Sequence, residues 1–168
     1  MTTAAAFLAQ LDRETGSTRR LLERVPRGWT AWKPHVKSMP LGSLSAMIAT
    51  MPAWIESMAL HPALDVASPD GASFTPAAFD TTRELLEAFD AAIARGRAAL
   101  ESVSDSTLST TWRMLVGGRV VAEEARHRVI CDHFSHWAHH RGQLTVYLRL
   151  LDVPVPCIYG PTADDAGS

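Results

Sequence analysis

The chain has 168 residues, 46% of them hydrophobic and 20% charged, with a formal net charge of −2. This is the balance of one soluble globular domain over 1–168, long enough to bury a core without staples. The charge excludes the broad basic surface that nucleic-acid binding needs, and no run approaches the ~18 consecutive apolar residues of a membrane span.

The elements follow in chain order. Ala4 to Arg24 carries helical spacing, with Phe7, Leu8, Leu11, Leu21 and Leu22 near one face and Pro26 and Gly28 as a stop. Asp12 interrupts the N-terminal apolar run, which therefore does not read as a signal peptide. A long connection leads to Pro40, suited to the first turn of a second helix. Leu44, Met47, Ile48, Met51, Trp54, Ile55 and Met58 then recur at helical spacing, and Pro52 predicts a break near Thr50. Leu64 to Pro76 reads as a loop crossing one end of the fold. Thr81 with Glu84 predicts a capping box for a third helix bearing Leu85, Phe89, Ile93 and Leu100. Thr107 to Val121 has two β-prone runs around Gly117-Gly118, the pattern of a short hairpin. The fourth helix is expected to begin near Glu123 and Glu124 and to run to Leu151. Gly142 within it suggests a close helix approach. The sum is an all-α fold, an antiparallel four-helix bundle with a long crossover connection and a short hairpin-like insertion before the last helix. Cys131 and Cys157 form no CxxC pair, which predicts reduced thiols and a cytoplasmic protein.

Five of the seven histidines lie on the fourth helix: His127, His133, His136, His139 and His140. At about 100° per residue, His136 and His140 stand one turn apart on one face, with His133 a turn earlier. The stripe continues through Trp137, Leu144, Tyr147 and Leu148, so it should face the core. Buried imidazoles need partners, and a metal such as zinc, nickel, copper or iron would satisfy them. An i, i+4 histidine pair is also a common structural feature, so the spacing alone leaves both readings open. His139 is expected at the surface or in helix packing, and His127 in solvent.

The run HWAHHRGQLTVYLRLLDVPVPCIYGPTADD resembles the C-terminal signature of the DinB-like proteins, a His-x-x-His-His-Arg-Gly-Gln helix leading into a Tyr-Gly-Pro tail. WKPHVKSMPLGSLSAMIATMPAW resembles the second-helix region of the same family, and the likeness spans nearly the whole chain. The resemblance implies a four-helix bundle, often a homodimer, among metal-dependent hydrolases and thiol S-transferases that use low-molecular-weight thiols. It also implies one divalent metal held by three histidines. Two of these map onto His136 and His140. The third belongs to a Leu-Gly-x-Leu-x-x-His pattern on the second helix, and here LGSLSAM puts Met47 at that position. A thioether is a soft, uncharged ligand, poor for zinc or nickel and better for Cu(I). His133 is the residue available to compensate, although it and His140 lie ~10 Å apart along the helix axis. Asp132, four residues before His136, either orients that imidazole through a hydrogen bond or is a solvated carboxylate.

Two functions are therefore expected as alternatives. One is a metal-dependent enzyme of thiol S-transferase or hydrolase type acting on a small molecule through a weakened zinc or nickel site. The other is a metal-free binding or stress-related interaction module. No nucleic-acid or membrane partner is expected in either.

Overall fold

The computed structural model describes residues 1–67 and 79–165. Helix α1 spans Thr3–Leu22, capped by the Thr2 side chain, which accepts from the Ala5 N–H. Helix α2 spans Leu41–Thr50, with Pro40 as its cap residue. A 3₁₀ turn over Met51–Ala53 then breaks the chain before helix α3, Trp54–Leu60. The cause is Pro52, which has no N–H to continue the α-helical ladder. Helix α4, Thr82–Ser102, opens on the expected capping box of Thr81 and Glu84. A single turn, α5, covers Asp105–Leu108, and helix α6 runs from Arg126 to Leu150.

The four long helical segments enclose one apolar core. Helix α1 packs on α4 and α6, and the α2–α3 segment packs on the same two helices. Three hydrogen bonds fix α6 antiparallel to α2. His133 Nε2 donates to the Met51 carbonyl at 2.9 Å, Trp137 Nε1 to the Ile48 carbonyl at 2.9 Å, and the Tyr147 hydroxyl to the Met39 carbonyl at 3.0 Å. The close approach expected at Gly142 occurs elsewhere: a Cβ at Gly142 would meet nothing within 4 Å, whereas a Cβ at Gly96 would lie 2.5 Å from the Pro52 carbonyl oxygen. Gly96 is what lets α4 reach the broken turn.

The all-α reading needs two corrections. First, the strands are not an isolated hairpin. Strands β1 (Ala63–Asp65), β2 (Thr111–Val116) and β3 (Arg119–Ala125) form a mixed sheet, with β1 parallel and β3 antiparallel to β2. A three-residue strand is too short to show periodicity in sequence, and β1 lies within the segment read as a loop. The rest of that crossover, from 68 to 76, falls outside the described residues. Asp65 ties β1 to the hairpin by accepting from the Gly117 N–H at 2.9 Å and the Gly118 N–H at 2.6 Å. Both glycines have positive φ, 57° and 78°, as the tight turn requires. Second, Glu123 and Glu124 belong to β3 and do not start α6. They pair across the ladder with Arg113 and Trp112, and Glu123 ion-pairs with Arg113 at 2.5 Å.

The helix begins after Ala125, where Arg126 is buried and turns back. Its guanidinium donates to the carbonyls of Met58 at 2.8 Å and His61 at 2.6 Å, closing the C-terminal end of α3. No helix among the described residues is long and apolar enough to cross a membrane.

Candidate functional site

Helix α6 brings His136 and His140 together. Their Nε2 atoms are 2.8 Å apart, and His140 Nδ1 is 2.8 Å from Gln143 Oε1. Since Gln143 Oε1 can only accept, His140 carries its proton on Nδ1. His140 Nε2 then accepts from His136 Nε2–H, leaving His136 Nδ1 as a lone pair. His140 is buried and His136 is exposed. Partial burial, then the neighbouring imidazoles of His140 and His139, hold the His136 pKa below its ordinary value. His139 is exposed beside His140, as expected, with ring centres 5.2 Å apart. His127 is half-buried, not solvated, with Nδ1 3.1 Å from the Leu108 carbonyl oxygen.

His133 stands apart from that pair. It is 4% exposed, and its Nε2–H is taken by the Met51 carbonyl. Burial lowers its pKa to about 4, so it is neutral at pH 7. Met47 is half-buried, on α2 between the Ile48 and Leu44 turns. The antiparallel hydrogen bonds place it level with the turn of α6 that carries His136 and His140. No imidazole from α2 reaches that level. Asp132 makes no hydrogen bond or ion pair among the described residues, with His136 or with any other group.

These donors do not fit the three-imidazole centre that the family resemblance implies. A tetrahedral zinc with Zn–N bonds of about 2.0–2.1 Å would hold two nitrogens about 3.3 Å apart and needs further ligands. The observed separation is that of a hydrogen bond, and the α2 position offers a thioether. Among the described residues, no group of three or more His, Cys, Asp or Glu side chains is placed to hold a metal ion.

Beside the pair lies a cavity of about 480 Å³. Strand alternation puts Leu64, Val66, Trp112, Met114, Ala122 and Glu124 on one face of the sheet, and these residues line one wall. Trp54 and Met58 of α3, with Val129, Asp132, His133 and His136 of α6, line the other. Trp54 packs on both His133 and His136, with ring centres 5.5 and 6.4 Å away. Sequence reading missed this cavity, because its walls come from distant segments and one of them is the sheet.

It also missed a buried ion pair. Arg141 Nη2 lies 2.6 Å from Glu14 Oε2, with the two side chains 1% and 7% exposed. Arg141 also donates to the Thr18 hydroxyl at 3.0 Å and to the Tyr159 hydroxyl, which itself donates to Glu14 at 3.0 Å. This ties α1 and the C-terminal tail to α6. The available signal was Arg141 at helical spacing between Trp137 and Leu144 on the buried stripe.

A model of the DinB family matches residues 1–167. The chain belongs to the DinB family. Among solved structures, a DinB-like protein of Bacillus subtilis is similar in fold, with a TM-score of 0.70 and 16% identity over 94% of this chain and 99% of that one. A DinB-like protein of Bacillus cereus has a TM-score of 0.67 and 20% identity over 91% and 95% of the two chains. A protein described within the DinB family, from Exiguobacterium sibiricum, has a TM-score of 0.67 and 18% identity over 98% and 97%. No curated protein matches the sequence. At these identities the solved structures establish the DinB-like fold and nothing of the chemistry.

Proposed function

We propose that this DinB-family domain binds a small molecule in the cavity between the sheet and helices α3 and α6, and that the His136–His140 pair acts there as a proton-exchanging group in place of a three-imidazole metal centre. The observation that carries this reading is the position of His136, which lines the cavity and is hydrogen-bonded to His140. His136 Nδ1 is the free lone pair of that relay. With its pKa held below the ordinary value, it is unprotonated at pH 7 and able to take a proton from a bound ligand. The cavity volume falls in the range of small-molecule sites, roughly 300–1,000 Å³.

The second reading is a metal-dependent thiol S-transferase or hydrolase, favoured by family membership and by the two imidazoles meeting on α6. In it, zinc or nickel would rest on His136 and His140 and activate a low-molecular-weight thiol or water. With Met47 in place of a third imidazole, no step through a metal follows from this donor set.

Metal analysis of protein purified without chelator separates the two, paired with calorimetric titration of a small apolar probe such as 2-phenylethanol. Little zinc or nickel together with saturable probe binding, abolished when Met114→Trp fills the cavity, supports the small-molecule reading. A full equivalent of metal with no probe binding overturns it.

We further propose that the domain is a cytoplasmic homodimer that needs neither nucleic acid nor membrane. Exposed Val146 and Leu150 on α6, beside Tyr159, supply an apolar face for a second copy.

A further inference from the structure

The wall of the cavity is selective in charge and in hydrogen bonding. None of the residues lining it is Lys or Arg. Arg113 and Glu123, paired across the ladder, neutralise one another, and Glu123 also borders the cavity. Glu124 remains on the cavity face, accepting from the Ala125 N–H at 2.8 Å and with the Arg128 guanidinium at 3.9 Å. Asp132 faces it from α6 with no partner among the described residues.

The imidazoles add acceptors. A carbonyl oxygen can only accept, so His133 Nε2 carries the proton that it gives to Met51. His133 Nδ1 is then a lone pair, and it has no hydrogen-bond partner among the described residues. His136 Nε2 gives its proton to His140, so its Nδ1 is likewise an acceptor. Carboxylates and imidazoles that each keep an acceptor nitrogen thus line the cavity together, one of them on a side chain 4% exposed. The rest of the wall is apolar or aromatic, with Trp54 on one side and, on the other, Trp112, whose buried Nε1–H is a donor without a partner among the described residues. A cation over an indole face is attracted by the ring quadrupole. An anion would meet the Asp132 and Glu124 carboxylates with no cationic side chain on the wall, and a neutral alcohol carries no charge to offset them.

We infer that the occupant is an apolar ammonium, an alkyl or aryl body ending in a protonated primary amine. The body would lie against Met58, Leu64, Met114 and Val129, with the amine at the Asp132–His133 end. This rests on the small-molecule reading of the same cavity and adds the ligand class to it. It also sets the cavity apart from sites for carboxylate-bearing thiols, which need cationic side chains.

Three probes with one apolar body test the inference on the full chain: 2-phenylethylammonium, 2-phenylethanol and 3-phenylpropionate, each titrated calorimetrically at pH 7. The expected result is that the ammonium binds at least about tenfold more tightly than the alcohol and that the carboxylate gives no saturable binding. Asp132→Asn should weaken the ammonium several-fold and leave the alcohol unchanged, and Met114→Trp should abolish binding of both. If the alcohol or the carboxylate binds as tightly as the ammonium, the ligand class is wrong and the small-molecule reading stands. If Asp132→Asn and Glu124→Gln each leave the ammonium affinity unchanged, the charge argument fails in the same way. If none of the three binds, the cavity reading itself falls and the inference with it.

Discussion

Met47→His tests whether the helix α2 position faces the histidine pair. The α2–α6 hydrogen bonds set Met47 level with His136 and His140, so an imidazole there would be the third. Binding zinc requires the two Nε2 atoms, now 2.8 Å apart, to open by about half an ångström to the spacing of a tetrahedral site. Exposed His136 has room for that rotation, while buried His140 is held by Gln143. Exchanging a thioether for an imidazole should raise zinc or nickel affinity at least about tenfold, or about 1.4 kcal/mol. With zinc at about 100 times its Kd, native-state binding adds about 2.7 kcal/mol. At about 2–4 °C per kcal/mol for a chain of this size, Tm should rise by about 5–10 °C. Competition against a chromophoric chelator gives the affinity, and calorimetric melting with and without zinc gives the shift. His136→Ala in the same background should remove both gains. If neither quantity moves while the circular dichroism stays helical, Met47 does not face the pair and the transfer of the ligand position is wrong. Tight zinc binding by the unaltered protein, lost in His133→Ala, would instead make His133 the third ligand. That requires it to leave the Met51 carbonyl.

Glu14→Gln should leave Arg141 as a buried charge without its counter-ion and destabilise the fold by about 3–5 kcal/mol, read from urea unfolding; a loss below about 1 kcal/mol would show the pair to be dispensable. Gly96→Ala drives a Cβ to within 2.5 Å of the Pro52 carbonyl oxygen and should cost about 1–3 kcal/mol, whereas Gly142→Ala, with nothing within 4 Å, should be neutral or stabilising. His133 titrates at about 4 in the fold against an ordinary 6.5, so below pH 6.5 the unfolded chain binds a proton that the folded chain does not. Its contribution is complete above pH 6.5 and is lost as pH falls toward 4, by up to about 3 kcal/mol. His133→Gln should flatten the stability profile in that window, and an unchanged slope would refute the assignment. Light scattering at micromolar concentration should give about twice the 18.3 kDa chain mass, and Leu150→Glu with Val146→Glu should return it to the monomer mass.

The helices were legible because their signals are local. The Thr81–Glu84 capping box, the Pro52 break and the apolar spacing of the long segments need only a few neighbouring residues. The sheet was legible only in part. Gly117-Gly118 announces a turn, but β1 is three residues long and gains its place through Asp65 and the β2 ladder, more than forty residues away in the chain. Glu123 and Glu124 misled for a related reason. Two acidic residues before a helical run suit a helix start, yet their partners on β2 hold them extended. Gly96 and Gly142 look alike in sequence, and only the position of Pro52 distinguishes them.

The site divides along the same line. His136 and His140 meet because they are one helical turn apart, which spacing reveals. His133 shares their stripe, yet its Nε2 is taken by the Met51 carbonyl, which also accepts from the Trp54 N–H. Once Nε2 is committed there, a metal between His136 and His140 has no claim on it without losing a buried hydrogen bond, which costs about 1–3 kcal/mol. That leaves Nδ1 of His133 and Nδ1 of His136 as acceptors on two residues that line the cavity. The break at Pro52 therefore does more than bend the chain. It leaves the Ile48 carbonyl without its i+4 donor, which Trp137 Nε1 supplies, while the Met51 carbonyl beside it fixes the tautomer of His133.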